Sequence, residues 1–202
     1  MAVGVSRITV GRLIQAVETA GQMRNRIFVF LSDHGEMLGS YGLWRKGSWH
    51  SDCMIRVPGF VCAPGRLGGQ RRINGLVQAI DLAPTILGML GLPVHERMQG
   101  MDFSGQLLRD EAIRQRWIYS EMWTTLWGSW VRCWTIRTET AKLDYYPSDR
   151  VGHLFDLAAD PDERNDLWAS PRHRDLRGEM LASLLQHQGD QVGNWPKVFC
   201  QC

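Results

Sequence analysis

Asp33, His34, Lys46 and His50 fall within one short stretch of the chain and could do chemistry together. A carboxylate beside an imidazole can hold a divalent cation. A lysine close by adds a compact positive charge. A further histidine can contact a substrate or orient a ligand. Each side chain also has an ordinary structural use. Asp33 can cap a loop, His34 can simply hydrogen-bond, and Lys46 can be a solvated loop lysine. Asp52 can pair with Arg56.

The elements around these residues decide where they sit. Ile27 to Leu31 is an uninterrupted apolar, β-prone run. It lacks alternation, which predicts a strand buried on both faces, as in a parallel sheet. Asp33 and His34 follow at its carboxyl end, where open α/β sheets bind ligands, and Gly35 frees the backbone to turn. Before the strand, Val10, Leu13, Ile14 and Val17 have helical spacing, closed by Gly21. After it comes a Gly-rich loop to about Asp52, then a strand over 55–62 containing Pro58, and a turn at Pro64-Gly65. Val77 to Leu90 predicts a helix that starts or kinks at Pro84.

Past about residue 110 the pattern changes. Trp117–Tyr119 predicts a short strand, and 131–137 with 142–146 a hairpin around 138–140. His153–Leu157 predicts a further strand and 172–188 a final helix. The expected division is 1–110, an α/β part, and 111–202, a small antiparallel α+β subdomain. Trp123, Trp127, Trp130 and Trp134 have helical spacing. Such a stripe favours packing, with stacking on sugar rings as the alternative.

Composition excludes several classes. Lys and Arg number 23 against 21 Asp and Glu, and no basic run interleaved with aromatics suggests a nucleic-acid groove. No apolar stretch approaches the ~20 residues of a membrane-spanning helix. The first residues lack a basic segment followed by an apolar one, so no signal peptide is expected. The five cysteines, Cys53, Cys62, Cys133, Cys200 and Cys202, form neither a disulfide framework nor a paired zinc pattern.

The stretch SDHGEMLGSYGLWRKGSWHSDCMIRVPGFVCAPGR resembles the C-terminal signature of the sulfatases, within the alkaline-phosphatase-like superfamily. VGRLIQAVETAG, VQAIDLAPTILGMLGLP with MQGMDFSGQLL, RTETAKLDYYP and HLFDLAADPDERNDL are similar to further family segments, in the family's order. The resemblance implies a partial alkaline-phosphatase-like sheet with helices, followed by the small subdomain. It implies that Asp33 and His34 contact an active-site Ca2+ (or Mg2+). Lys46 would bind the sulfate oxygens and neutralise charge on the leaving oxygen. His50 is a substrate-side or supporting candidate.

The resemblance also implies groups that the residues before Asp33 do not supply: two more metal-binding aspartates, and a formylglycine nucleophile made in a C-x-P-x-R motif. The expectation is therefore the C-terminal part of a sulfatase, inactive alone, with an open strand edge. Cys62-Ala63-Pro64-Gly65-Arg66 fits C-x-P-x-R literally, but its place after the R-V-P strand predicts a turn, with Cys62 an unmodified, half-buried thiol. The expected substrate is a sulfate-ester small molecule or a sulfated glycan. A phosphonate or phosphoric ester hydrolase is the first alternative, and an inactive remnant acting as a binding module the second.

Overall fold

A computed structural model describes residues 2–47, 49–126 and 129–193. Helix α1 (Ala2–Thr19) leads through Gly21, which has φ 67°, into strand β1 (Phe28–Leu31). A long loop and a one-turn helix α2 (Asp52–Ile55) follow, then strand β2 (Gly59–Cys62). The two strands pair antiparallel, Phe28 opposite Cys62 and Leu31 opposite Gly59. The expected parallel, doubly buried strand is therefore corrected: β1 alternates half-buried Phe28 and Phe30 with exposed Val29 and Leu31. An apolar run does not reveal how many neighbours a strand has. Residues 52–58 likewise do not extend the second strand. The turn of α2 occupies 52–55, and Pro58, which cannot donate to a ladder, precedes β2.

Helix α3 (Leu82–Leu90) follows a tight turn over Ala79–Asp81. Pro84 sits in its first turn, where an absent N–H costs nothing, and Gly91 at φ 71° closes it. Asp81 is buried and ties this region together, accepting from the backbone N–H groups of Gln78 at 2.8 Å and Met101 at 2.9 Å. Helix α4 (Ser104–Arg109) packs on α3.

The second sheet has four antiparallel strands in chain order: β3 (Ile118–Leu126), β4 (Ser129–Arg137), β5 (Ala141–Tyr146) and β6 (Val151–Asp156). The turn at 138–140 forms as expected, Thr138 N–H donating to Ala141 O at 2.8 Å. Cross-strand register sorts the side chains. Ile136, Leu143 and Leu154 face Met180 and Leu184 of helix α5 (Arg174–Gly193) and form the main core. Thr135, Lys142 and Asp144 point to the other face.

The tryptophan stripe is not helical. Trp123 lies on β3, Trp130 and Trp134 on β4, and Trp127 is outside the described residues. Trp134 packs against the core. Trp123 and Trp130 do not: they are 70% and 68% exposed. No helix among the described residues is long and apolar enough to cross a membrane.

Candidate functional site

The loop after β1 is held by backbone contacts that leave little choice of sequence. Gly35 N–H donates to Met54 O at 2.7 Å, and a Cβ at Gly35 would stand 1.8 Å from Cys53 O. Only glycine lets the loop lie this close to α2. Residues 37–45 then close on themselves: Met37 N–H donates to Arg45 O at 3.3 Å and Gly39 N–H to Leu43 O at 2.8 Å. Leu38, Tyr41 and Arg45 all have positive φ, at 46°, 55° and 69°. Such backbone strain persists only where the surroundings enforce it. The closed loop leads into Lys46, whose charge is a minor influence on Asp33.

Asp33 is 85% exposed at its side chain. Its Oδ1 accepts the backbone N–H of His34 at 2.9 Å. That hydrogen bond first, and the His34 charge next, hold its carboxyl below the usual 3.8, with a smaller contribution from Lys46. His34 Nδ1 lies 2.7 Å from Gly35 O. A carbonyl only accepts, so Nδ1 carries a proton. The ring's Nε2 is 3.6 Å from Asp33 Oδ2. When that nitrogen is unprotonated, the pair offers two lone-pair donors to one cation. The donor set fits part of a Ca2+ or Mg2+ site. Calcium takes six to eight oxygens, so Asp33 and His34 supply only a corner of it.

His50 sits elsewhere in this arrangement. It is 6% exposed and belongs to a buried polar network against the C-terminal sheet. Its Nδ1–H donates to Thr135 Oγ1 at 2.6 Å, and Thr135 donates on to Asp144 Oδ1 at 2.6 Å. Burial pushes the His50 imidazole below its usual 6.5. The Lys142 ammonium, fully buried, donates to His50 O at 2.6 Å and pairs with Glu163 Oε1 at 2.7 Å. Glu163 Oε2 accepts the N–H of Asp52 at 3.1 Å. Tyr41, from the loop carrying Lys46, donates to Asp162 O at 2.8 Å beside it. Asp52 pairs with Arg137 rather than Arg56, through two hydrogen bonds of 3.1 and 2.9 Å. Asp33, His34 and Lys46 therefore share the exposed loop, while His50 and Asp52 anchor that loop to the sheet. Tyr41, Lys142 and Glu163 complete the anchor and were not singled out from sequence.

Two other groupings resemble sites. His50, Cys133 and Asp144 bring ligating atoms within 4.8 Å of one another. Thr135 Oγ1 already contacts all three, 3.8 Å from Cys133 Sγ. Lys142 lies 3.6 Å from Asp144 and supplies positive charge. Burial pushes the Cys133 thiol up to about 11. The cluster is a hydrogen-bonded core. The second grouping is Cys62–Arg66. It forms the expected turn, with Arg66 and Leu67 N–H both donating to Ala63 O at 2.8 Å. Cys62 is an exposed thiol, not the half-buried one expected. It pairs with Phe28 at the end of the ribbon away from Asp33, about 10 Å along the strand from Leu31, so it cannot act at that site. Cys200 and Cys202 lie outside the described residues.

A family model described as N-sulphoglucosamine sulphohydrolase, C-terminal, matches residues 39–190. The chain belongs to the sulfatase family. It is 26% identical over 192 residues to an N-acetylglucosamine-6-O-sulfatase of Bacteroides thetaiotaomicron, covering 93% of this chain and 34% of that protein. A structure solved in complex with its substrate D-glucosamine-2-N,6-O-disulfate superposes with a TM-score of 0.83 at 25% identity, over 94% of this chain and 39% of that one. A phosphonate monoester hydrolase from Silicibacter pomeroyi shares the fold, with a TM-score of 0.76 at 24% identity over 96% of this chain and 40% of its own. The chain spans about a third of the length of the curated relatives it matches.

Proposed function

We propose that this chain forms the C-terminal part of a sulfuric ester hydrolase and supplies one corner of its active site. The observation that carries the reading is the convergence of Asp33 Oδ2 and His34 Nε2, 3.6 Å apart, on a backbone-locked loop that also bears Lys46. Asp33 and His34 hold Ca2+ (or Mg2+), which when bound offsets the charge of a sulfate group. Lys46 binds sulfate oxygens and stabilises negative charge on the departing ester oxygen. His50 holds the loop bearing these groups, through Thr135 on one side and Lys142 on the other, and stands behind the substrate rather than in solvent. The nucleophile, a formylglycine by family resemblance, comes from outside this chain's residues.

The substrate is a sulfate ester, with sulfated amino sugars favoured by the relatives. The phosphonate reading stays second, supported by the shared fold of the Silicibacter enzyme. The test is turnover of an aryl sulfate against an aryl phosphonate by the enzyme that contains this chain, with and without Lys46→Ala. Faster sulfate turnover, falling about 10²–10³-fold in the variant, supports the reading. Faster phosphonate turnover selects the second reading, and unchanged turnover in Lys46→Ala removes Lys46 from the site.

A further inference from the structure

Beyond residue 134 of β4, strand β5 covers the sheet; before it, β3 and β4 continue alone as a two-stranded arm. One face of this arm is unusual. Trp130 stands opposite Thr125, Arg132 opposite Trp123, and Trp134 opposite Glu121. Directly opposed residues share a face, so three indoles and a guanidinium form one strip. The Trp123 and Trp130 rings meet edge to face at 5.5 Å. The guanidinium of Arg132 lies 5.8 Å from the Trp123 ring and 4.9 Å from that of Trp134. Among the described residues nothing covers Trp123 or Trp130.

The strip is on the α5 face of the sheet, since Trp134 and Ile136 alternate with Cys133 and Thr135. The anchor of His50, Lys142 and Asp144 is on the other face. The sheet thus separates the tryptophan strip from the loop of Asp33 and Lys46.

Its chemistry is specific. Indole faces stack on the C–H faces of sugar rings, and a guanidinium fork matches a sulfate group. Arg132 makes no hydrogen bond to a described residue. Its charged contact is Glu121 Oε2 at 3.6 Å, both side chains are about half exposed, and Glu121 already accepts the Tyr119 hydroxyl at 2.7 Å. Such a surface pair is weak and leaves the guanidinium's donors open to a ligand anion. The Trp134 Nε1–H is buried with no acceptor among the described residues.

We propose that the outer face of the β3–β4 arm is an accessory holding site for a sulfated glycan, with Trp123 and Trp130 stacking on sugar rings and Arg132 taking a sulfate. It rests on the sulfate-ester reading for its ligand class, and holds the polymer away from the ester being cleaved.

The test titrates the full chain with a heparin-derived hexasaccharide and with its desulfated counterpart, read by tryptophan fluorescence and calorimetry. Trp123→Ala, Trp130→Ala, Arg132→Gln and Asp33→Ala are compared, with far-UV circular dichroism as a check on folding. The sulfated sugar binds at least about tenfold more tightly than the desulfated one. Either tryptophan variant weakens binding about tenfold or more. Arg132→Gln removes the preference for sulfate, and Asp33→Ala leaves the part of the binding that depends on Trp123 and Trp130 in place. No binding of either sugar, or binding unaffected by Trp123→Ala and Trp130→Ala in folded protein, overturns the proposal. Binding lost in Asp33→Ala but kept in Trp123→Ala overturns it while leaving the proposed active site intact. A self-associating chain dispersed by Trp130→Ala, without sugar binding, shows that the strip serves a protein contact instead.

Discussion

The ammonium of Lys142, on the buried face of the C-terminal sheet, donates to the main-chain oxygen of His50 at 2.6 Å. The contact spans 92 residues of sequence and fixes the end of the loop that carries Lys46. A lysine buried this fully is tolerated only with its charge compensated. Glu163 at 2.7 Å and Asp144 at 3.6 Å compensate it, and the Phe155 ring lies 5.3 Å away.

Removing Glu163's charge should therefore be costly. Glu163→Gln is expected to destabilise the chain in urea unfolding, by no more than the about 3–5 kcal/mol usual for breaking a buried pair, because Asp144 still faces the ammonium. Lys142→Met combined with Glu163→Leu should recover much of that loss. A Glu163→Gln midpoint equal to that of the unsubstituted chain would show that the pair does not hold the loop.

Stability should also depend on pH through His50. Its imidazole is held below 6.5 by burial, so the unfolded chain takes up the proton first. The stabilising contribution is present above 6.5 and is lost as pH falls toward the lowered value, by at most about 1.4 kcal/mol per pH unit. His187 shifts in the same direction for the same reason. The comparison is therefore with His50→Gln, which can still donate to Thr135. The difference in urea stability between the two proteins should shrink from pH 7 to pH 5.5, and parallel curves would exclude a His50 contribution.

The thiols should separate cleanly. Cys62 is exposed, whereas Cys133 is fully buried and its thiol is pushed up to about 11. Iodoacetamide at pH 8 should label Cys62 in the native chain and reach Cys133 only after denaturation. Peptide mapping by mass spectrometry reads both. The same spectrum should show Cys62 as an ordinary cysteine, and a formyl group there would contradict its assignment to a turn.

The loop carrying Asp33, His34 and Lys46 was legible as one segment because its parts are local, and its glycines and backbone bonds close it on itself. Lys142 and Glu163 were not, because a buried charge looks like a surface one until its distant partners are in place. Helical spacing misled at the tryptophans: Trp123 and Trp130 lie on different strands, and their separation counts residues through the connection, not turns of a helix. The apolar run Ile27–Leu31 showed a strand but not its partner. Antiparallel pairing with β2 leaves Val29, Leu31 and Phe60 exposed, as an open ribbon requires.

In the proposed function, Asp33 and His34 form one corner of a cation site. Calorimetric titration of the chain with CaCl2, against Asp33→Ala and His34→Ala, addresses it directly. Weak saturable binding is expected, with a dissociation constant of about 1 mM or above, abolished in Asp33→Ala and weakened in His34→Ala. Identical heats in all three proteins would contradict it.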